Sequence, residues 1–143
     1  MTIIESIRKY LEGCPLLNGG KLNVDFLPEE ATACSVDVVP VKPVVKAYLD
    51  GSSKRQFLFV FATRAYYGDH IRQQLDNLCL FEAFEEWLDQ QNRARSFPDL
   101  GEGRTVQKME VTTSGYVFAP DTDTARYQIQ CRLSYFQRGG IKQ

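Results

Sequence analysis

The single histidine of the chain, His70, is the first side chain to consider for acid-base chemistry. A catalytic imidazole needs an orienting carboxylate and a nucleophile or substrate beside it, and Asp69 adjoins His70 in the sequence. Neighbouring residues on a helix point in different directions, so this adjacency does not build a dyad. We interpret His70 as a surface residue in the first turn of a helix and predict no catalytic residue.

Two other patterns resemble parts of known active sites. The acid pairs Glu29-Glu30 and Glu85-Glu86 could imitate glycosidase carboxylates, but those must face each other across a substrate. On the flank of a helix, paired acids are more simply solvated charge. Residues 101–104 contain two close glycines without a full phosphate-loop pattern or a following helix, so we interpret them as a turn. No cofactor-binding site is predicted.

The four cysteines, Cys14, Cys34, Cys79 and Cys131, lie far apart in the sequence. They form no C-x-x-C pair, and a single histidine is too little to complete a metal site with them. We predict free, largely buried thiols in a reducing cytosol, because an unpaired cysteine packs like a small apolar side chain. The alternative is a structural disulfide. No metal or other cofactor is predicted.

The size and charge of the chain narrow its class. Its 143 residues suffice for one sizeable core, and we predict a single domain over residues 1–143. Seventeen basic and eighteen acidic residues give a net charge of -1, which provides no overall attraction to nucleic acid or to a membrane surface. Glu5, Arg8 and Lys9 would interrupt the core of a leader peptide, and no apolar run reaches the ~18 residues of a membrane span. We expect a protein that is neither secreted by a leader nor inserted in a membrane.

Seven tyrosines and nine phenylalanines raise the question of a stacking platform for nucleic acid. Arg126, Arg132, Tyr127 and Tyr135 do lie in one predicted strand, but the arginines and the tyrosines occupy its opposite faces. Proteins that bind single strands place aromatic and cationic side chains in one groove. We therefore predict no specific nucleic-acid recognition and assign the aromatic residues to the core.

The most apolar uninterrupted run, residues 54–64, is predicted to be the central strand of the fold. In an extended segment, three phenylalanines share one face and three smaller apolar residues share the other: Phe57, Phe59 and Phe61 against Leu58, Val60 and Ala62. A strand that is apolar on both faces is typical of the centre of a sheet covered by helices on at least one face.

The segments before this strand predict a helix and a hairpin. Thr2 and Glu5 form a capping-box pattern before a short amphipathic helix that ends at Gly13. Residues 14–33 are predicted to be a loop with one short edge strand. Residues 34–39 alternate weakly and stop at Pro40 and Pro43, and residues 44–49 form a strand that residues 50–53 turn back into the central run.

The segments after the central strand predict helices and then strands. Asp69 is placed to cap a helical stretch over which two apolar stripes fall out of phase, so we predict a helical pair with a kink or break near residues 77–79. Gly115 indicates a bulge or bend between residues 106–113 and 116–119. Residues 126–135 alternate apolar and polar, with Arg126 and Arg132 on the polar face. The order predicts an α+β fold, a mainly antiparallel sheet with helices packed on one face.

Several stretches, spread over nearly the whole chain, are similar to a family of small phage and prophage proteins labelled minor capsid or tail-terminator-like. They are residues 1–6, 50–53, 55–61, 66–68, 84–88, 100–103, 112–116 and 125–131. None of them is an active-site signature.

The resemblance implies a tail-terminator-like sandwich and a role in joining phage heads to tails. Tail terminators assemble into homo-oligomeric rings, usually hexamers, which cap the tail tube and connect it to neck proteins. The implied location is the host bacterial cytoplasm during assembly and then the virion. A cyclic ring requires a heterologous contact repeated around an axis, which a small domain with polar strand faces could provide.

The alternative class is a small-molecule-binding module or an acyltransferase-like enzyme, because some relatives carry an antibiotic-acetyltransferase label. The chain lacks a His-x-x-x-Asp arrangement, since Gln74 stands at the fourth position after His70. We therefore expect a non-enzymatic protein. We also expect the polar side chains of the last strand, Arg126, Gln128, Gln130 and Arg132, to contribute to subunit contacts, the alternative being a solvated sheet face.

Overall fold

A computed structural model describes the backbone of residues 2–14, 22–24, 34–66, 71–120 and 124–139. It describes the side chains of residues 2–14, 34–64, 81–113 and 126–139. The described residues form two helices and six strands in the order α1 (Ile3–Glu12), β1 (Leu22–Val24), β2 (Cys34–Val39), β3 (Val44–Ala47), β4 (Ser53–Tyr66), α2 (Ile71–Ala94), β5 (Arg104–Pro120) and β6 (Thr124–Gln137).

The predicted central strand is confirmed as β4. The strands lie in the order β1-β2-β4-β6-β5, and β3 pairs with β4 on the same side as β2. β4 pairs with β6 over its full length, from Ser53 opposite Gln137 to Tyr66 opposite Thr124. All the pairings are antiparallel except that of β1 with β2. The sheet is therefore mainly antiparallel, as the sequence predicts.

The phenylalanine face of β4 carries the core and the helix contacts. Phe59 and Phe61 are fully buried. The ring of Phe61 lies 4.7 Å from Phe84 and 6.1 Å from Phe81, both on α2. The helices thus pack on the face formed by the large rings, which confirms the predicted α+β class.

Helix α1 begins and ends as predicted. The backbone N–H of Glu5 donates a 3.2 Å hydrogen bond to Thr2 Oγ1, and Gly13 is the C-cap. Ile7 and Leu11 are fully buried. The Tyr10 hydroxyl donates a 2.7 Å hydrogen bond to the carbonyl oxygen of Ser96, just after α2. Burial, with a contribution from Cys14, raises the pKa of Tyr10 to about 12, so this donor stays protonated at neutral pH.

The predicted break near residues 77–79 is wrong. Residues 71–94 form one continuous helix, α2. The segment contains neither proline nor glycine, so no residue removes a helical hydrogen bond where the apolar stripe changes phase. Phe81, Phe84 and Leu88 then carry the buried stripe of its C-terminal half.

The hairpin between β3 and β4 is confirmed. Pro40 to Pro43 separate β2 from β3, and the backbone N–H of Gln56 donates a 2.9 Å hydrogen bond to the Pro43 carbonyl oxygen. Gly51 has a φ of 91°, in the left-handed region that favours glycine. A Cβ at Gly139 would lie 2.7 Å from the Asp50 carbonyl oxygen, so this turn packs directly on the chain after β6.

The bulge predicted at Gly115 is confirmed, and it is one of four. β5 has 17 residues and β6 has 14, and the pairing shifts at Val106/Lys108, Val111/Thr113, Thr113/Tyr116 and Val117/Ala119. Each shift places an extra residue in β5, which is an edge strand of the sheet.

Candidate functional site

The polar side chains of β6 form the surface at which the sequence analysis expects a subunit contact. Arg126, Gln128, Gln130 and Arg132 of β6 lie opposite Arg64, Ala62, Val60 and Leu58 of β4. Because side chains alternate along a strand, this face is opposite to the one that packs on the helices. We call the residues of this face on β2, β5 and β6, namely Asp37, Glu110, Arg126, Gln128, Gln130 and Arg132, the polar face.

Arg126 of the polar face binds partners within the chain. Its Nη2 lies 2.6 Å from Asp37 Oδ2, and its Nε donates a 2.9 Å hydrogen bond to Gln128 Oε1. The two charged side chains are only 20% and 21% exposed. Because β4 lies between β2 and β6, the arginine must extend across β4 to reach Asp37, over a strand whose Val60 and Ala62 are buried.

A second ion pair lies on the same face, nearer the β5 edge. Arg132 Nη2 is 2.7 Å from Glu110 Oε1, and Lys108 Nζ is 3.3 Å from Glu110 Oε2. Burial alone would raise the pKa of Glu110, but hydrogen bonds from Arg132 and Lys108 outweigh it and hold that pKa below its usual value. Both arginines that the sequence assigns to a subunit contact therefore already bind carboxylates of their own chain.

The polar face contains an unsatisfied position on β2. Among the described side chains, the buried atoms Ser35 Oγ and Asp37 Oδ1 lack a hydrogen-bond partner. A buried polar atom left unpaired costs about 1–3 kcal/mol. The Arg126–Asp37 pair therefore satisfies one oxygen of Asp37 and leaves the other unpaired.

A groove of about 350 Å³ separates α2 from β5 at the edge of the sheet. Its lining combines acids, an amide, a lysine and apolar residues: Glu85, Leu88, Asp89, Asn92, Lys108, Met109, Glu110, Val111 and Thr112. We call this cavity the α2/β5 groove. Four residues of α2 line the groove, and two of them, Glu85 and Asp89, are acidic while none is basic, so the helix side of the groove is negatively charged.

Asn92 binds the edge strand at one end of the α2/β5 groove. Its Nδ2 donates to the Met109 carbonyl oxygen at 2.5 Å, and its Oδ1 accepts from the Met109 N–H at 3.0 Å. The amide thus occupies the backbone groups through which another strand would pair with β5 at this position. The local sequence carries no signal for this contact, because an asparagine on the polar side of a helix is ordinary.

The β3–β4 hairpin, residues 44–55, projects apolar side chains into solvent. Val45 and Tyr48 are 52% and 41% exposed, and Leu49 at the tip is fully exposed. The turn is held by a 2.9 Å hydrogen bond from Tyr48 N–H to the Ser52 carbonyl oxygen and by another from Ser52 N–H to Asp50 Oδ1. Tyr48 also packs against Phe136 of β6, with ring centroids 6.3 Å apart.

A second cavity, of about 330 Å³, lies between α1 and the segment after α2. It is lined by Ser6, Lys9, Tyr10, Phe97, Pro98 and Asp99. The Tyr10 hydroxyl is committed to the Ser96 carbonyl oxygen, so it does not act as a free acid or base in this cavity.

Of the residues considered for catalysis, the structure describes only Glu85, Glu86 and the turn at residues 101–104. His70, Asp69 and the pair Glu29-Glu30 lie outside the described residues. Glu85 lines the α2/β5 groove, whereas Glu86 is exposed on the helix surface, so this pair does not face a common substrate. Gly101 and Gly103 have φ values of 97° and 80° in the predicted turn.

The three cysteines whose side chains the structure describes form no disulfide bond, as predicted. Cys14 and Cys131 are buried and Cys34 is half-buried; the side chain of Cys79 lies outside the described residues. In the described part of the chain no three His, Cys, Asp or Glu side chains gather as metal ligands would. Neither α1 nor α2, the helices in the described ranges, contains an apolar stretch long enough to cross a bilayer.

Comparisons with known proteins found no matching family model and no similar curated protein.

Proposed function

We propose that this chain is a structural protein of a phage or prophage virion, a tail terminator or head-tail completion subunit that acts by oligomeric assembly. The resemblance that extends over nearly the whole sequence supports this role. The observation that carries the proposal is the distribution of exposed apolar side chains.

In the described part of the chain, the large apolar side chains that are exposed lie mainly on one hairpin. Among the described residues, these are Val38, Val45, Tyr48 and Leu49, and the last three belong to the β3–β4 hairpin. Single exposed apolar residues are common, but several of them close together on one hairpin are typical of a protein contact. Leu49 is fully exposed, so it buries no apolar surface when the subunit folds. Packing within the subunit therefore does not explain an apolar residue at this position.

The alternative function, a small-molecule-binding module or acyltransferase-like enzyme, has the α2/β5 groove in its favour. An acid-base catalyst there would need a carboxyl group whose pKa is raised toward neutrality. Glu110 has a lowered pKa instead, because Arg132 and Lys108 bind it. The charges of this groove favour a binding surface for a cationic segment over a proton-transfer site.

In this role the protein would form a ring, as tail terminators do, and bind the tail tube on one side and neck proteins on the other. Assembly would take place in the host bacterial cytoplasm, and the ring would remain in the virion. No cofactor, membrane or specific nucleic-acid contact is required.

Sedimentation velocity over a wide concentration range, combined with negative-stain images, tests the proposal. We expect a transition from monomer to closed rings. Complementation of a phage whose copy of this protein is deleted should restore joined heads and tails. A strict monomer at all concentrations that also fails to complement would overturn the proposed function and favour the ligand-binding alternative.

A further inference from the structure

We infer that the subunits of the proposed ring join by insertion of the β3–β4 hairpin of one copy into the α2/β5 groove of the next copy. This inference rests on the proposed function and adds to it the two contact surfaces. The occupant of the groove is therefore a second copy of this chain.

The two surfaces lie on opposite edges of the sheet. β3 pairs with β4 where Val44 lies opposite Arg55 and Ala47 opposite Ser53. At this level the strands lie in the order β3-β4-β6-β5, so β3 is one edge and β5 is the other. A contact between different patches on opposite sides of a subunit is heterologous, and repeated heterologous contacts produce a ring when the rotation closes.

The charges of the two surfaces are complementary. Residues 42–55, the hairpin with the segment that leads into it, contain four basic residues, Lys42, Lys46, Lys54 and Arg55, against one acid, Asp50. On the helix side, the groove is lined by two acids, Glu85 and Asp89, and by no basic residue. Opposite potentials of this kind guide two surfaces together and disfavour contacts between like patches.

The shape of the hairpin suits insertion. Its tip presents the fully exposed Leu49, with Lys46 close behind it, where the lysine Nζ lies 5.4 Å from the Tyr48 ring centroid. The groove offers about 350 Å³, with Leu88, Met109 and Val111 as the apolar part of its lining and Asp89 exposed at its side. A hairpin already fixed by its own hydrogen bonds loses little conformational freedom on binding.

The structure disfavours the other way of joining two sheets, which is pairing of strand edges. The four shifts in the β5–β6 pairing bend β5 away from a regular edge. The side chain of Asn92 also hydrogen-bonds to the N–H and carbonyl oxygen of Met109, so these groups cannot pair with another strand. We therefore expect a neighbouring copy to contact this edge through side chains that enter the groove beside β5.

Two complementary variants test the inference. The hairpin variant carries Lys46→Glu with Leu49→Asp, and the groove variant carries Asp89→Lys. All three positions are exposed, so each variant should keep the circular dichroism spectrum and melting temperature of the wild type. Each should also lose ring formation, with the midpoint of assembly shifted to at least about tenfold higher concentration. Lys9→Glu, the same substitution as at Lys46 but on the exposed side of α1, is the control and should form rings like the wild type.

Mixing the two variants distinguishes this contact from any other. The hairpin variant keeps an intact groove, and the groove variant keeps an intact hairpin, so a one-to-one mixture has one intact contact. The other contact has exchanged charges but lacks the apolar side chain of Leu49, so it stays the weaker of the two. We expect sedimentation velocity to show a heterodimer in the mixture and monomers in each variant alone. None of these three samples should contain rings.

Other outcomes overturn the inference in different ways. If the wild type and both variants form rings equally well, the contact lies elsewhere while the proposed function stands. If the variants form rings but fail to complement a phage deletion, the hairpin binds another virion protein and not a second copy. If the wild type forms no rings and does not complement, the proposed function and this inference fail together.

Discussion

At the scale of single residues, large rings on β4 fix the position of the helices. Phe61 contacts Phe81 and Phe84 of α2, and the neighbouring Phe59 is completely buried between the sheet and the helical layer. Residues of this size make many contacts that smaller side chains cannot replace. The stability of the fold therefore depends strongly on individual phenylalanines.

Phe59→Ala should lower the free energy of unfolding by roughly 3–5 kcal/mol, because it removes a buried ring and leaves a cavity. Chemical denaturation measures this change. Val45→Ala, at a half-exposed position, is the control and should change stability by about 0.5 kcal/mol or less. A Phe59→Ala variant as stable as this control would place Phe59 outside the core.

Arg126 and Asp37 should be energetically coupled. Replacing either with alanine leaves the other charge half-buried without its partner, and we expect each to cost about 1–3 kcal/mol. A double-mutant cycle should give a coupling energy of about 1 kcal/mol or more. The Arg132–Glu110 pair, whose side chains are 39% and 27% exposed, is the comparison and should couple more weakly. Additive losses for Arg126 and Asp37 would contradict the role of this pair.

The cysteines should behave as free thiols. Burial, with a contribution from Glu85, raises the pKa of the Cys131 thiol, so it stays neutral and unreactive at neutral pH. We expect the same melting temperature with and without reductant, and alkylation of Cys131 by iodoacetamide only on unfolding. A large drop in melting temperature on reduction would mean that a structural disulfide is present.

At the scale of elements, β5 and α2 depend on each other. β5 pairs on one side with β6 and is an edge strand on its other side, where Asn92 of α2 binds the Met109 backbone. The helix thus protects part of an edge that would otherwise present unpaired backbone groups. The same contact fixes one wall of the α2/β5 groove against the other.

Asn92→Ala should lower the free energy of unfolding by about 1–3 kcal/mol, because it leaves the N–H and carbonyl oxygen of Met109 without their side-chain partner. Hydrogen exchange should also show faster exchange at the Met109 amide. The exposed Gln90→Ala on the same helix is the control and should leave both measurements unchanged. Unchanged protection at Met109 in Asn92→Ala would show that the contact does not stabilise the edge.

At the scale of the whole molecule, the sheet separates two kinds of surface. One face packs on the helices, whereas the opposite, polar face contains ion pairs that close within the chain. Because Arg126 and Arg132 already bind Asp37 and Glu110, the surfaces available to a neighbouring copy are better sought at the sheet edges. This moves the expected subunit contact from the face of β6 to the β3–β4 hairpin and the α2/β5 groove.

The proposed assembly role predicts that His70→Ala leaves biological activity intact. The residue is the single histidine of the chain, so any mechanism that needs an imidazole base would fail in this variant. Virion yield in a complementation assay should equal that of the wild type. A collapse of yield in a variant that folds normally would restore the enzyme alternative.

The sequence by itself determined the local elements of this protein. The alternating apolar residues of β4 and β6, the capping residues of α1 and the turn at residues 50–53 are recognisable because each depends on residues close together in the chain. The polar side chains of β6 could likewise be assigned to one face. The continuous α2 was missed, because a change of phase in an apolar stripe does not by itself break helical hydrogen bonds.

Tertiary structure decided the rest. The strand order β2-β4-β6-β5 brings Arg126 to Asp37, 89 positions away in the sequence, and places β3 and β5 at opposite edges. The hydrogen bonds between Asn92 and the Met109 backbone, and the exposure of Leu49, likewise depend on which elements become neighbours. Such contacts depend on long-range pairing, whereas periodicity and turn residues specify only the local conformation, so the candidate contact surfaces could be identified only in the folded chain.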